Sequence, residues 1–296
     1  MVITGGVMMH WTTRREVMRG VLTGGRCVYP ASVFDPVSAR IAQDVGFEIS
    51  QLGGSIASLA VLGAPDLVVL TLTELADQAL RINRAASLPL LVDADHGYGN
   101  ALSVRRSVEE LETAGVAGLT IEDTLLPAAY GAVDRVQLIS LDEGVGKMRA
   151  ALAARQDPAL IVAARTSAMQ VGGLEETIRR GRAYAAVGVD AVLLIGVNTR
   201  AQLDAVAGEI GAPLFLGQVT PELSDVDYLS DRGVRIALQG HLPFLAMIRA
   251  VHEVLQSLRQ GRPPSEIKSG AGDALVKSVS RDAEYRAWLR DFMGGS

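Results

Sequence analysis

Short apolar runs alternate along the chain with longer stretches in which apolar residues recur every three or four positions. The runs lie at residues 26–33, 48–52, 90–93, 118–121, 160–164, 191–195, 214–216 and 234–238. Their near-continuous Val, Ile and Leu content predicts strands buried on both faces. A helical pattern follows each, for example at 72–86, 103–114, 141–154, 174–187 and 242–258. Several helices close on glycine and an apolar residue: Gly46-Phe47, Gly115-Val116, Gly188-Val189 and Gly233-Val234. Glycine takes the left-handed conformation that ends a helix, and the chain turns directly into the next strand. The unit averages about 30 residues, the scale of a βαβ element. Eight such units predict an α/β fold: a closed (β/α)8 TIM-type barrel with extra C-terminal helices. A doubly wound open sheet is the alternative.

Residues 1–258 are assigned to the barrel and its N-terminal lead-in, and 259–296 to a linker and helical tail. The linker is Gln260-Gly261-Arg262-Pro263-Pro264. In the tail, a helix over 281–292 places Tyr285, Trp288 and Phe292 on one stripe, expected to pack on the barrel or a partner subunit. Two connections, 53–71 and 124–140, are long and follow strands, so both belong at the barrel's carboxyl face, where lids and binding loops sit.

That face also receives the chemistry of a parallel barrel. Strand three ends in Asp93-Ala94-Asp95-His96-Gly97-Tyr98-Gly99-Asn100, and strand four in Glu122-Asp123. Facing carboxylates repel one another and favour a cation between them. Asp93, Asp95 and Glu122 are hard oxygen donors suited to Mg²⁺, one binding directly and the others through water. Their competing role is helix capping. Asp123 is expected to cap or orient, and His96 to orient a carboxylate. Arg165, at the end of strand five, either forks onto a substrate carboxylate or pairs internally with the acids. Gly53-Gly54-Ser55 offers amide donors and a hydroxyl to an anion, or makes a plain tight turn. His241, at the end of strand eight, is expected to contact substrate or move a proton. Strand one ends near Ser32, Phe34 and Asp35.

Composition narrows the classes. The net charge of −5 comes without a basic block, so nucleic acid is not an expected partner. No run of 18 apolar residues occurs, so no membrane span is expected. The N-terminus lacks a basic segment and a sustained apolar one, which reads as no signal peptide. A single cysteine, Cys27, permits no intrachain disulfide and fits a cytoplasmic protein. It lies in an apolar run and reads as a small buried hydrophobe.

Together, Val33-Phe34-Asp35-Pro36-Val37-Ser38-Ala39, Gly53-Gly54-Ser55, Asp93 to Asn100, Ile121-Glu122-Asp123 and Arg165-Thr166 resemble the isocitrate lyase/phosphoenolpyruvate mutase superfamily. The resemblance covers about residues 21 to 258. Glu122 to Pro127, Glu143 to Lys147 and Gly240-His241 are most similar to its branch that decarboxylates oxaloacetate. The resemblance implies Mg²⁺ (or Mn²⁺), with Asp93 as direct ligand and Asp95 and Glu122 in support. It implies a small 2-oxo acid held by Ser55, Gly54, Arg165 and His241, with Arg165 and His241 catalytic. The expected reaction converts oxaloacetate to pyruvate and CO₂ through a metal-stabilised enolate. Alternatives are phosphonopyruvate P–C chemistry, another C–C cleavage, or a non-catalytic dicarboxylate-binding barrel. The resemblance further implies a homo-oligomer, a dimer of dimers exchanging the last barrel helix. Two departures stand out. The loop after strand four reads Tyr130-Gly131-Ala132-Val133-Asp134-Arg135, without the cysteine of the superfamily's lyases. After strand seven the chain has Gly217-Gln218-Val219-Thr220-Pro221, where the decarboxylase branch tends to have tyrosine.

Overall fold

The computed structural model describes residues 10–128, 130–131, 135–268 and 270–294. The N-terminal segment read as lacking a signal peptide, and part of the 130–135 loop, lie outside these. Eight parallel strands follow in order: β1 (Ala31–Ser32), β2 (Ser50–Leu52), β3 (Leu90–Asp93), β4 (Gly118–Glu122), β5 (Ile161–Thr166), β6 (Ala191–Leu194), β7 (Leu214–Leu216) and β8 (Val234–Ala237). Closure comes from Val28, which bridges Ile236 in parallel. Its N–H donates to Arg235 O (2.9 Å), and its carbonyl accepts from Ala237 N (3.1 Å). The strand expected over 26–33 is therefore divided. Val28 pairs with β8 and Ala31–Ser32 with β2, and Pro30, which has no N–H, stands between.

The helices are α1 (Trp11–Thr23), α2 (Pro36–Val45), α3 (Gly54–Leu62), α4 (Leu72–Ala85), α5 (Ala101–Thr113), α6 (Leu141–Ala154), α7 (Ala168–Val187), α8 (Arg200–Val206), α9 (Val226–Asp231), α10 (Leu242–Arg259), α11 (Asp273–Ser280) and α12 (Asp282–Met293). Capping marks where they start. Asp35 and Thr71 make reciprocal capping boxes with Ser38 and Glu74 at α2 and α4. One apolar cluster lies between strands and outer helices; another fills the barrel with Ile49, Leu91, Ile161, Leu193, Phe215 and Ile236. Met18 of α1 belongs to the inner cluster and plugs the amino-terminal end. A Cβ on Gly118 would come within 2.7 Å of Met18 Sδ, so β4 must start on glycine for the plug to fit.

One region departs from the sequence reading, and another is seen here only in the single chain. The 53–71 connection contains α3. The tail does not bury its aromatic stripe: Tyr285, Trp288 and Phe292 are exposed in the single chain. The tail is tied to α2 by other groups, with Arg281 forking onto Asp44 at 2.7 Å and Arg40 donating to Val279 O at 3.0 Å. α10 buries only Phe244, which meets Phe34 edge-on at 4.9 Å. Its Leu242, Leu245, Ile248, Val251, Leu255 and Leu258 are exposed. Beside it runs an apolar groove of about 710 Å³ lined by Val37, Ile41, Val45, Phe47 and Met247.

Candidate active site

At the carboxyl face the strands open into a cavity of about 160 Å³. That is small against the roughly 300–1,000 Å³ of pockets for drug-sized ligands. Gly54, Ser55, Asp66, Asp93, Arg165 and His241 form its polar side; Leu91, Leu193, Ile195, Phe215 and Leu238 form its apolar side. Strand register brings the charges together: Asp93 pairs with Thr120 across β3–β4, and Glu122 with Arg165 across β4–β5.

Arg165 forms a short ion pair through Nη1 with Asp93 Oδ2, and its Nε lies 3.5 Å from Glu122 Oε2. Burial alone would lower the guanidinium's pKa, but Asp93 and Glu122 outweigh it and hold the charge. Thr120 donates to Asp93 Oδ1 (3.1 Å), and Thr124 to Glu122 Oε2 (2.8 Å), so each carboxylate has a fixed direction. Asp95 has a positive φ of 46°, and its backbone carbonyl accepts from Glu122 N at 2.8 Å. Its carboxylate lies against Gly54, where a Cβ would meet Oδ1 at 2.5 Å. Burial, then Asp93, Asp66 and Glu122, push Asp95 up to about 8, with Arg165 opposing. Burial likewise raises Asp66 and Glu122.

Among the described residues, no three acidic, histidine or cysteine side chains converge to hold an ion directly. The donor set instead fits Mg²⁺ with one direct carboxylate and retained waters. Burial and then the neighbouring carboxylates push Asp95 up to about 8, and a cation among them would favour their charged forms.

The first turn of α3 forms another wall. Gly53 is its N-cap, without a side-chain cap, and Gly53, Gly54 and Ser55 line the cavity at the positive end of the helix dipole. Opposite stands His241. A Cβ on Gly53 would meet its Cε1 at 2.6 Å and Nε2 at 2.8 Å, so the ring lies on bare backbone. Its Nδ1 is 2.8 Å from Ser32 Oγ. Burial lowers its pKa below the ordinary histidine range, while Asp93 and Asp66 pull upward.

The residues expected at the site thus come together. Gly54, Ser55, Asp93, Arg165 and His241 line the cavity; Asp95 and Glu122 stand just behind. Arg165 makes the internal pairing that was the alternative to a substrate fork. Asp123 orients: its Oδ2 accepts from Tyr184 OH (2.7 Å), Arg180 Nη1 (2.9 Å) and Thr166 Oγ1 (2.9 Å). His96 takes a different part from the one expected. Its carbonyl accepts from buried Lys147 (2.9 Å), its ring meets Tyr98, and burial then Lys147 lower it to about 4. Cys27 is buried, and burial pushes its thiol up to about 12. Three polar lining residues escaped sequence reasoning: Asp66, Gln51 and Thr120. Asp66 is the sole acid in 53–71, and Gln51 the one amide in β2. A polar residue inside an apolar strand, and a lone acid in a Gly/Pro loop, were the available signals. Gly217 at the end of β7 leaves the cavity wall without a side chain there.

Comparison with known proteins follows the same lines. A family model described as phosphoenolpyruvate phosphomutase matches residues 19–259. A curated relative from Bradyrhizobium diazoefficiens (strain JCM 10833 / BCRC 13528 / IAM 13628 / NBRC 14792 / USDA 110), named oxaloacetate decarboxylase, is 54% identical over 286 residues, 97% of this chain and 99% of its own. Among solved structures, a phosphonopyruvate hydrolase complex with oxalate and Mg²⁺ superposes with a TM-score of 0.84 at 27% identity. It covers 96% of this chain and 100% of its own. An oxaloacetate acetylhydrolase bound to 3,3-difluorooxalacetate gives a TM-score of 0.82 at 29% identity, covering 96% and 98%.

Proposed function

The chain belongs to the phosphoenolpyruvate phosphomutase family, and on that footing we propose that it decarboxylates oxaloacetate to pyruvate and CO₂. The observation that carries this reading is one small cavity uniting Arg165, the amide turn at Gly54 and Ser55, and His241 beside an acid cluster. A near-full-length relative bearing the name of that activity supports it.

In the proposed reaction the C3–C4 bond breaks and its electron pair moves toward the 2-oxo oxygen. Solvent then supplies a proton to C3. Gly54 and Ser55 hold the carboxylate next to the 2-oxo group by amide and hydroxyl donation. Arg165 keeps Asp93 and Glu122 oriented while adding positive potential at the reacting end. His241 donates to a substrate oxygen. Asp93, Asp95 and Glu122 would hold Mg²⁺, with Mn²⁺ as the substitute. When bound, the ion supplies Lewis-acid stabilisation of the charge developing on the 2-oxo oxygen. No thiol acid is required, in keeping with Cys27 being buried.

We also infer a homo-oligomer, a dimer of dimers, in which the exposed apolar face of α10 seats in the groove beside α2 of another copy. No helix among the described residues is long and apolar enough to cross a membrane. The proposed location is the cytoplasm.

The test uses purified protein, Mg²⁺ and a panel of oxaloacetate, phosphonopyruvate and methylisocitrate. Oxaloacetate loss above the metal-only background, abolished in Asp93→Ala, is expected. Turnover of another panel member alone would replace the substrate, and oxalate binding without any turnover would leave a binding barrel.

A further inference from the structure

Ser32 ends β1, is buried, and backs onto the groove beside α2. Its register partner on β2 is Gln51, which lines the cavity, so Ser32 also faces inward. Its hydroxyl is 2.8 Å from His241 Nδ1. The far edge of the ring lies on Gly53, as the 2.6 and 2.8 Å approaches to Cε1 and Nε2 require. Nδ1 is thereby held from the side of β1, and Nε2 lies over Gly53, which with His241 lines the cavity.

Such a bond has two versions. Either the imidazole donates from Nδ1 and turns a lone pair at Nε2 toward the cavity, or Ser32 donates to Nδ1 and the proton sits on Nε2. The cavity decides between them. Asp93 and Asp66 line it together with Arg165, whose charge Asp93 and Glu122 already pair, and the substrate class in question carries two carboxylates of its own. A lone pair facing that many oxygens is repelled; an N–H is attracted. We propose that Ser32 is a positioning residue: the cavity selects the Nε2–H tautomer of His241, and Ser32, donating to Nδ1, holds the ring so that this proton meets a substrate oxygen. The kinetic part rests on the oxaloacetate reading above; the tautomer itself does not.

The experiment follows from that separation. Full-length protein labelled with ¹⁵N-histidine is examined by solid-state NMR, and the His241 resonances are identified by their loss in His241→Gln. Wild type is expected to show an unprotonated Nδ1 and a protonated Nε2. Ser32→Ala should move the Nδ1 resonance by loss of its hydrogen bond and lower kcat/KM about three- to tenfold, the worth of one neutral hydrogen bond. Ser32→Thr, which keeps the hydroxyl, should restore both. A protonated Nδ1 in wild type, or an unmoved Nδ1 resonance in Ser32→Ala, overturns the proposal, whatever the rate. So does a rate loss that Ser32→Thr fails to rescue at unchanged tautomer, because Ser32 would then serve packing alone. Should oxaloacetate not be a substrate, the spectra still decide the role of Ser32.

Discussion

Gly53→Ala tests the site through a single methyl group. The residue sits at φ −79° and ψ 146°, open to any amino acid, so the backbone is not strained. What the methyl meets is His241, at 2.6 Å from Cε1 and 2.8 Å from Nε2. Carbon atoms in contact prefer about 3.5–4.0 Å, so the ring must retreat by about 1 Å. That movement disturbs the 2.8 Å bond to Ser32 and withdraws Nε2 from the cavity. A 1 Å displacement of a positioned group can cost about 100-fold, so kcat/KM should fall about 30- to 100-fold. That is roughly 2–3 kcal/mol at the transition state. The fold should lose only about 1 kcal/mol, because alanine is a poorer N-cap than glycine. Pyruvate formation, followed by coupled NADH oxidation, gives the rate, and thermal unfolding gives the stability. Gly25→Ala, with nothing within 4 Å of the added carbon, is the control. A Gly53→Ala enzyme within twofold of wild type would refute the placement of His241 at the substrate.

Other expectations follow from the same geometry. Asp95 is raised from 3.8 to about 8, so between those values the folded, metal-free protein keeps a proton that the unfolded chain has lost. Its stability should therefore fall as pH rises from about 4 to 8, and Mg²⁺ binding at pH 7 should release a proton. Calorimetry in buffers of different ionisation enthalpy reads that proton, and zero release would contradict the crowding at Asp95. Asp123→Asn leaves the buried Arg180 with Glu176 as its remaining carboxylate partner and should cost about 2 kcal/mol, or about 4–8 °C in Tm; an unchanged Tm would count against the network. Leu255→Glu on the exposed face of α10 should shift the assembly toward smaller species in sedimentation, and an unaltered profile would exclude that face from the interface.

Where the sequence carried a strong local signal, elements were legible to the residue. β3, β7 and α6 match their expected limits, because apolar runs and the Ser140 cap bound them sharply. The helix expected from residue 174 begins instead at Ala168, but its ladder breaks at Gly173 (φ 66°), so the periodic part was the part detected. α3 was hidden because it opens on glycine and then carries apolar residues on every side, with no polar stripe to reveal a period of 3.6. In the site, Asp93, Arg165 and His241 declared themselves as charge at strand ends. Asp66 reaches the cavity only through the fold of its loop, in which even Val68 takes a positive φ of 58°. Nothing in a one-dimensional pattern encodes such an arrival.

Met18 has a consequence for traffic. With its thioether stoppering one end of the barrel, the described residues leave the carboxyl rim as the neck. Incoming acid, outgoing gas and the organic product must all queue at the same rim, so any small diacid lodged there blocks entry and exit alike.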